Sequence, residues 1–462
     1  MPVNFQSAPR LADFRLTLRL ALPLIFAEVG WMSMGVVDTI MVGRLPDSAV
    51  AIGATGLGQS LYHIFVIVGG GLLLGMDTFV AQAYGREDLH DARGTLINGL
   101  VLAIALTPMV MLAVSTWPAL MRRFGVSPEL VGPMRPFLFA LNWGTLPLLI
   151  FFALRRYLQA VNVAVPVMFA LVSANVVNAV GDWALIYGHL GFQAEGITGS
   201  GWSTCIARIY MALVLAVTVI WVESKRRFSS RALHKFPLKV DIQKISALLK
   251  LGSPAAGQIL VEIGAFSGAT ALCAKLGPVP LSGHEIALNC AAFTFMVPYG
   301  ISSAAAVRVG QQLGRLDPEG ARRAGWSAIS LGLAFMACTG IVFASIPAVI
   351  ARAFSPDPAV VRLGARLLLV AAAFQLFDGI QVVTTGALRG AGDTKTAMFA
   401  NFIAYWLIGI PVGCFLCFYL GWGALGIWIG LCAGLMIIGA VLLSVWHNRK
   451  FAEVQRFQVA PL

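Results

Sequence analysis

Runs of about twenty apolar residues recur from one end of the chain to the other, and they leave very few folds open. A run of that length crosses a ~30 Å hydrocarbon core as a single helix. Lipid admits only backbone that satisfies its own hydrogen bonds. The composition agrees: of 462 residues, 58% are hydrophobic and 12% are charged, against about 25% charged in a soluble domain. The chain reads as an all-α polytopic membrane protein embedded in a lipid bilayer. Its first apolar run is too long for a cleaved signal peptide and lacks a small-residue cleavage site.

Hydropathy and turn punctuation place twelve helices. The first six lie near 17–43, 51–81, 94–116, 134–154, 164–188 and 197–222. The second six lie near 247–274, 284–307, 325–350, 361–386, 396–420 and 423–446. An even number of spans leaves both termini on one side. Lys and Arg counted over alternate loops favour that side by roughly three to one, which makes it cytoplasmic, and the expected location is the cell (inner) membrane. This asymmetry accounts for the net charge of +12 without a nucleic-acid partner. The basic stretch "ESKRRFSSRALHKFPLKVDIQK" then separates an N-lobe (1–222) from a C-lobe (247–462), with 223–246 as the cytoplasmic linker. Seven cysteines fall within apolar runs, and an odd set of membrane-buried thiols argues against a disulfide framework. Cys414 and Cys417 have C-x-x-C spacing but read as small packing residues.

The two lobes carry an internal repeat. "VAQAYGREDLHDARG" and the stretch at 307–325, "VRVGQQLGRLDPEGARRAG", align at a constant offset of 229, with seven identities over the fourteen positions Val80–Arg93. A second echo, "ALRR…AVPVMFA" against "ALRG…TKTAMFA", needs a gap. Each half has an even number of spans, so the expected relation is two six-helix bundles with pseudo-two-fold symmetry about the membrane normal. Parallel repeats of this kind occur in secondary transporters.

Ionisable residues inside spans by default mark substrate or ion pathways. In the first half these are Asp38 on helix one and Asp182 on helix five, the latter on one stripe with Asn175 and Asn178. Thr204 lies one turn inside helix six, Gln59 is on helix two, and Glu28 precedes Asp38 by about three turns. In the second half Gln258 and Glu262 share a face of helix seven, Glu285 and Asn289 one of helix eight, and Gln375, Asp378 and Gln381 one of helix ten. Asn175 and Gln381 taken singly read more simply as inter-helix hydrogen-bond glue. Glu28 could answer Arg15 or Arg19, and Asp77, near the cytoplasmic end of helix two, is expected to cap or pair locally. Asp38 stands about two turns before Arg44, which suggests a water-filled cleft near the outer surface. The small-residue series "GIWIGLCAG" reads as helix packing.

Several of these stretches resemble the multidrug and toxic compound extrusion (MATE) family, NorM type: "VDTIMVGR", "VAQAYGR", N-x-x-x-D on helix five, "SSAAAVRVGQQLG" and "LRGAGDTK". The resemblance covers about residues 17–446. It implies a monomeric antiporter that exports small organic cations and other amphipathic drugs by alternating access in exchange for a monovalent cation, Na⁺ or H⁺, without a cofactor or catalysis. It further implies a C-lobe site, able to hold Na⁺, at Glu262 and Asp378, and a polar coupling cluster at Asp38, Asn178, Asp182 and Thr204. Asp182 stands where NorM-type relatives often have Asn. Phe374 stands where some have Tyr, which removes an oxygen but leaves a ring face for an organic cation. Two other readings compete. A flippase for a lipid-linked saccharide would require a basic cleft, and a membrane-embedded enzyme would require a catalytic motif that the sequence does not display.

Overall fold

The structure, a computed structural model, describes residues 10–123, 127–229 and 239–449. Every regular element among them is helical. The first group is α1 (Leu11–Val42), α2 (Ser48–Leu72), α3 (Gly75–Gly85), α4 (Leu89–Arg123), α5 (Pro128–Trp143), α6 (Thr145–Ala160), α7 (Val165–Tyr187) and α8 (Ile197–Ser229). There follow α9 (Ile242–Lys275), α10 (Pro278–Gly314), α11 (Pro318–Ser345), α12 (Pro347–Phe354), α13 (Pro358–Gly390), α14 (Lys395–Phe402), α15 (Ile410–Cys414) and α16 (Ala424–Asn448). Wide π-helical turns at Ile403–Gly409 and Phe415–Tyr419 flank α15. Among the described residues, eleven spans are long and apolar enough to cross a membrane, and α5 with α6, bent by 44°, counts as a twelfth if taken as one span. Outward-facing apolar side chains such as Met109, Leu112, Val217 and Ile220 are largely exposed, as lipid contact demands. The expected cytoplasmic termini and the middle of the basic linker lie outside the described residues.

Packing divides the chain into two compact units, Phe26–Ala256 and a second made of Met1–Ile25 with Gly257–Leu462. The chain changes unit inside α1 and inside α9, each time two residues after a helix-interior proline, Pro23 or Pro254. A proline there removes a backbone hydrogen bond and bends the helix. The unit boundaries therefore differ from the sequence division at 223–246. Within the second unit, the Arg308 guanidinium donates to the Asp13 carbonyl at 2.7 Å and to the Thr17 hydroxyl. Within the first unit, Lys244 bonds Asp91 at 2.6 Å, and the Asp241 amide donates to Asn98 at 2.8 Å.

The repeat shows in backbone detail. Glu87 and Leu316, one repeat apart, both take left-handed conformations, with φ of 63° and 59°. Beside them, Asp88 caps the amide of Asp91 at 2.9 Å and Asp317 caps that of Gly320 at 2.8 Å. Each carboxylate thus satisfies an otherwise orphaned helix-start donor. The second echo is also present in the backbone, but at another register. Val163 N–H bonds the Leu158 carbonyl at 2.8 Å, and Asp393 N–H bonds that of Leu388 at 2.9 Å. This pairing aligns Leu158 with Leu388, so the A-L-R identities lie one helical turn out of structural register.

Three expectations about charge need correction. Arg155 and Arg156 belong to the last turns of α6 rather than to a loop, and both are buried. Glu28 pairs with Arg155, not with Arg15 or Arg19. Asp77 pairs with Arg156 of the distant α6 at 3.3 Å, so its partner is not local in sequence. A similar knot joins Glu223 to Arg93 at 2.6 Å and to the Tyr157 hydroxyl at 2.7 Å. The Glu28 and Asp77 pairs escaped a hydropathy reading because each partner is far away in sequence.

Two tests follow from this packing. Glu28→Ala leaves a buried guanidinium unpaired and should cost about 3–5 kcal/mol, whereas Glu28→Met with Arg155→Met should recover most of that loss. Thermal midpoints in detergent decide, and equal losses in the single and double variants would contradict a structural pair. The glycine series on α16 gives the second test. A Cβ at Gly430 would meet the Gly409 oxygen and the Gly413 nitrogen at 2.4 Å each. Gly430→Val should therefore cost about 1–3 kcal/mol through overpacking, and an unchanged midpoint would refute the close approach.

Candidate functional site

Once the buried ion pairs are set aside, two pairs of acids stand out among the described residues, one pair in each unit. In the first unit, α1 contributes Asp38, α2 Gln59, α7 Asn178 and Asp182, and α8 Thr204. Asp38 Oδ2 accepts from Gln59 Nε2 at 3.2 Å and from the Thr204 hydroxyl at 3.3 Å. Asp38 Oδ1 and both oxygens of Asp182 are buried without a hydrogen-bond partner among the described residues. The groups that face Asp182 are Asp38 and Ser203.

Local packing explains this convergence. A Cβ on Gly181 would lie 2.6 Å from the Ser203 hydroxyl, so glycine beside Asp182 lets α8 approach α7 closely. Ser203 then donates to the Asn178 carbonyl at 2.7 Å and accepts from its amide at 3.2 Å. One turn along α8, the buried Arg208 donates to the Tyr62 hydroxyl at 2.7 Å and lies 4.6 Å from that ring's centre. Tyr62 also shares a 3.0 Å bond with Thr145. Arg208 is near enough to influence Asp38 electrostatically but makes no ion pair with it. The expected water-filled surroundings of Asp38 are not what the fold provides, since the residue is only 3% exposed.

In the second unit, Glu262 on α9 and Asp378 on α13 lie within electrostatic reach of each other, and neither has a Lys or Arg partner among the described residues. Gln381 and Gln258 flank Glu262. Gln381 donates to Asn401 at 3.3 Å, and Asn401 in turn donates to the Ala397 carbonyl at 2.7 Å. An aromatic wall stands beside them. Phe374 lies 6.1 Å from Phe266 and 5.8 Å from Trp428, and Phe266 lies 5.9 Å from Tyr405. Trp428 donates to His284 at 3.0 Å, which holds that wall in place.

The remaining sequence candidates are placed elsewhere. Asn175 donates to the Gly30 and Leu171 carbonyls and acts as glue between α7 and α1. Gln375 donates to Thr294 and away from Asp378. Asn289 is exposed and bonds the Glu285 carbonyl, while Glu285 is half-buried. Glu28 is consumed by Arg155. The sequence reading missed Asn401 and Tyr405, although a polar pair four residues apart in the apolar run "NFIAYWLIG" was the signal for them.

Two adjacent carboxylates in apolar surroundings cannot both stay charged without a partner. A carboxylate pair of this kind has the chemistry to take up a proton or a small cation. Fixed amides and hydroxyls flank the carboxylates.

The MatE family model matches the chain twice, at residues 23–184 and 254–415, in keeping with the internal repeat. Among curated proteins, the "Probable multidrug resistance protein NorM" of Mesorhizobium japonicum is 36% identical over 444 residues, covering 95% of this chain and 94% of its own. The "Multidrug resistance protein NorM" of Burkholderia vietnamiensis is 36% identical over 437 residues, covering 93% of each. Among solved structures, a eukaryotic MATE transporter, AtDTX14, superposes with a TM-score of 0.86 at 21% identity, covering 97% of this chain and 98% of its own. A MOP superfamily transporter from Pyrococcus furiosus, described as having a binding pocket of reverse polarity, gives 0.85 at 18% identity, covering 96% and 97%. The chain belongs to the MatE family of multi-span membrane transporters.

Proposed function

We propose that the protein is a multidrug efflux antiporter of the cell (inner) membrane. It exports amphipathic organic cations by alternating access in exchange for Na⁺ or H⁺. The observation that carries this reading is the sorting of the following acids within the spans, which are buried except for the half-buried Glu262. Glu28, Asp77 and Glu223 are each neutralised by an arginine. Asp38 with Asp182, and Glu262 with Asp378, are left to find mobile partners.

A carboxylate pair of this kind binds a proton, a Na⁺ or a lipophilic cation, but not all of them together. Inward ion entry therefore weakens drug binding, and drug binding weakens ion binding by the same factor. The half-buried Phe266, backed by the enclosed Phe374 and Trp428, supplies aromatic surface for a cation without the hydrogen-bonding precision that would fix one substrate. The NorM relatives named for multidrug resistance support the substrate class. A lipid-linked pyrophosphate would need a cluster of free buried cations, whereas Arg93, Arg155 and Arg156 are engaged by carboxylates and Arg208 by the Tyr62 hydroxyl and the Leu141 carbonyl.

Dye uptake into inside-out vesicles, with ΔpH and ΔNa⁺ imposed separately, tests this proposal. Asp38→Asn and Asp378→Asn should each cut gradient-driven exchange by roughly tenfold or more, the equivalent of about 1.4 kcal/mol. If both variants pump like the wild type, carboxylate exchange is not the coupling step.

A further inference from the structure

Tyr405 is fully buried, yet its hydroxyl makes no hydrogen bond among the described residues. Such a group is penalised in a protein interior unless something else meets it. The charged groups within its electrostatic reach are the carboxylates of Glu262 and Asp378. Gln381 is also buried, and its Oε1 is likewise unpartnered because its amide nitrogen is turned to Asn401. Two neutral oxygens with free lone pairs therefore belong to the same group as two carboxylates that have no basic partner.

The local fold holds this arrangement deliberately in register. Pro411 follows the π-helical turns at Ile403–Gly409 and cannot donate to the helix ladder. Wide turns of this type recur at functional sites. Trp406, adjacent to Tyr405, donates to the Val261 carbonyl at 3.1 Å, one residue before Glu262. On the other side α16 is packed tightly, since a Cβ at Gly434 would lie 2.9 Å from the Ala404 oxygen and 3.5 Å from the Tyr405 ring. Tyr405 is thus clamped between the helix that carries Glu262 and the glycine series. Phe374, one turn before Asp378, contacts the same Phe266 ring as Tyr405 does, but it has no oxygen to offer.

We infer that the Tyr405 hydroxyl is an oxygen ligand for a Na⁺ ion held by Glu262 and Asp378, supplying from the π-helical segment the oxygen that Phe374 lacks. A phenol suits this exchange because it can do two things. It stays neutral when buried, and its oxygen still offers lone pairs to a cation. The inference rests on the coupling role proposed above for the acid pair.

Equilibrium binding of ²²Na⁺ to purified protein in detergent tests it, with Tyr405→Phe, the double variant Tyr405→Phe with Phe374→Tyr, and Asp378→Asn. Tyr405→Phe keeps the ring and should raise the half-saturating Na⁺ concentration by roughly tenfold at unchanged capacity, about 1.4 kcal/mol. The double variant should recover part of that loss, which a purely structural tyrosine would not allow. If Tyr405→Phe binds Na⁺ like the wild type while Asp378→Asn does not, the hydroxyl role is wrong and the coupling reading stands. If wild type binds no Na⁺ and dye uptake follows ΔpH alone, the Na⁺ ligand is refuted and antiport survives. If Asp378→Asn binds and pumps normally, the coupling reading itself fails.

Discussion

An ionised carboxylate inside an apolar helix bundle needs a counter-charge, and the organisation of this protein follows from how it answers that need. The cost of burying an unpaired charge is several kcal/mol, large against the stability of any domain. Some of its buried acids are answered permanently. Arg155 and Arg156, on successive residues of α6, meet Glu28 of α1 and Asp77 of α3, and Arg93 and Tyr157 meet Glu223. The remaining pairs are answered only by neutral amides, hydroxyls and ring faces. Permanent pairs lock helices together, while pairs left open create a demand that a mobile ion or substrate can fill.

The duplicated frame gives each half one open pair, and the two halves meet the demand differently. Around Asp38 and Asp182 the neighbours are polar: Gln59, Thr204, Ser203 and a buried Arg208 engaged with Tyr62. Around Glu262 and Asp378 they are amides on one side and an aromatic wall on the other. The first suits a small ion, and the second also suits a flat or lipophilic cation. A shared fold does not dictate this chemistry. The sign and pairing of charge at the site, and not the fold, carry the functional argument.

What the sequence revealed depended on whether the signal was local. Apolar length gave the spans, and spacing on one helix gave the Asn178–Asp182 and Gln258–Glu262 faces. The loop repeat predicted equivalent turns, and the left-handed Glu87 and Leu316 supply them. Partnerships between distant residues were not legible. Arg155 and Arg156 looked like a loop because charge usually ends a span, and nothing nearby announced that Glu28 and Asp77 wait for them. Asp38 looked close to water because Arg44 follows it, whereas α2, α7 and α8 close over it. Tyr405 was hidden for a related reason. An aromatic residue in an apolar run reads as core until the helix that faces it is known.

The central claim is that ion and drug compete for the same unpartnered carboxylates. It is tested most directly by binding a labelled lipophilic cation to purified protein in weakly buffered solution, while released protons and Na⁺ are counted. The account requires that binding expel protons or Na⁺, and that apparent affinity fall as either is raised. Binding that releases neither ion, with an affinity independent of pH and Na⁺, would contradict it.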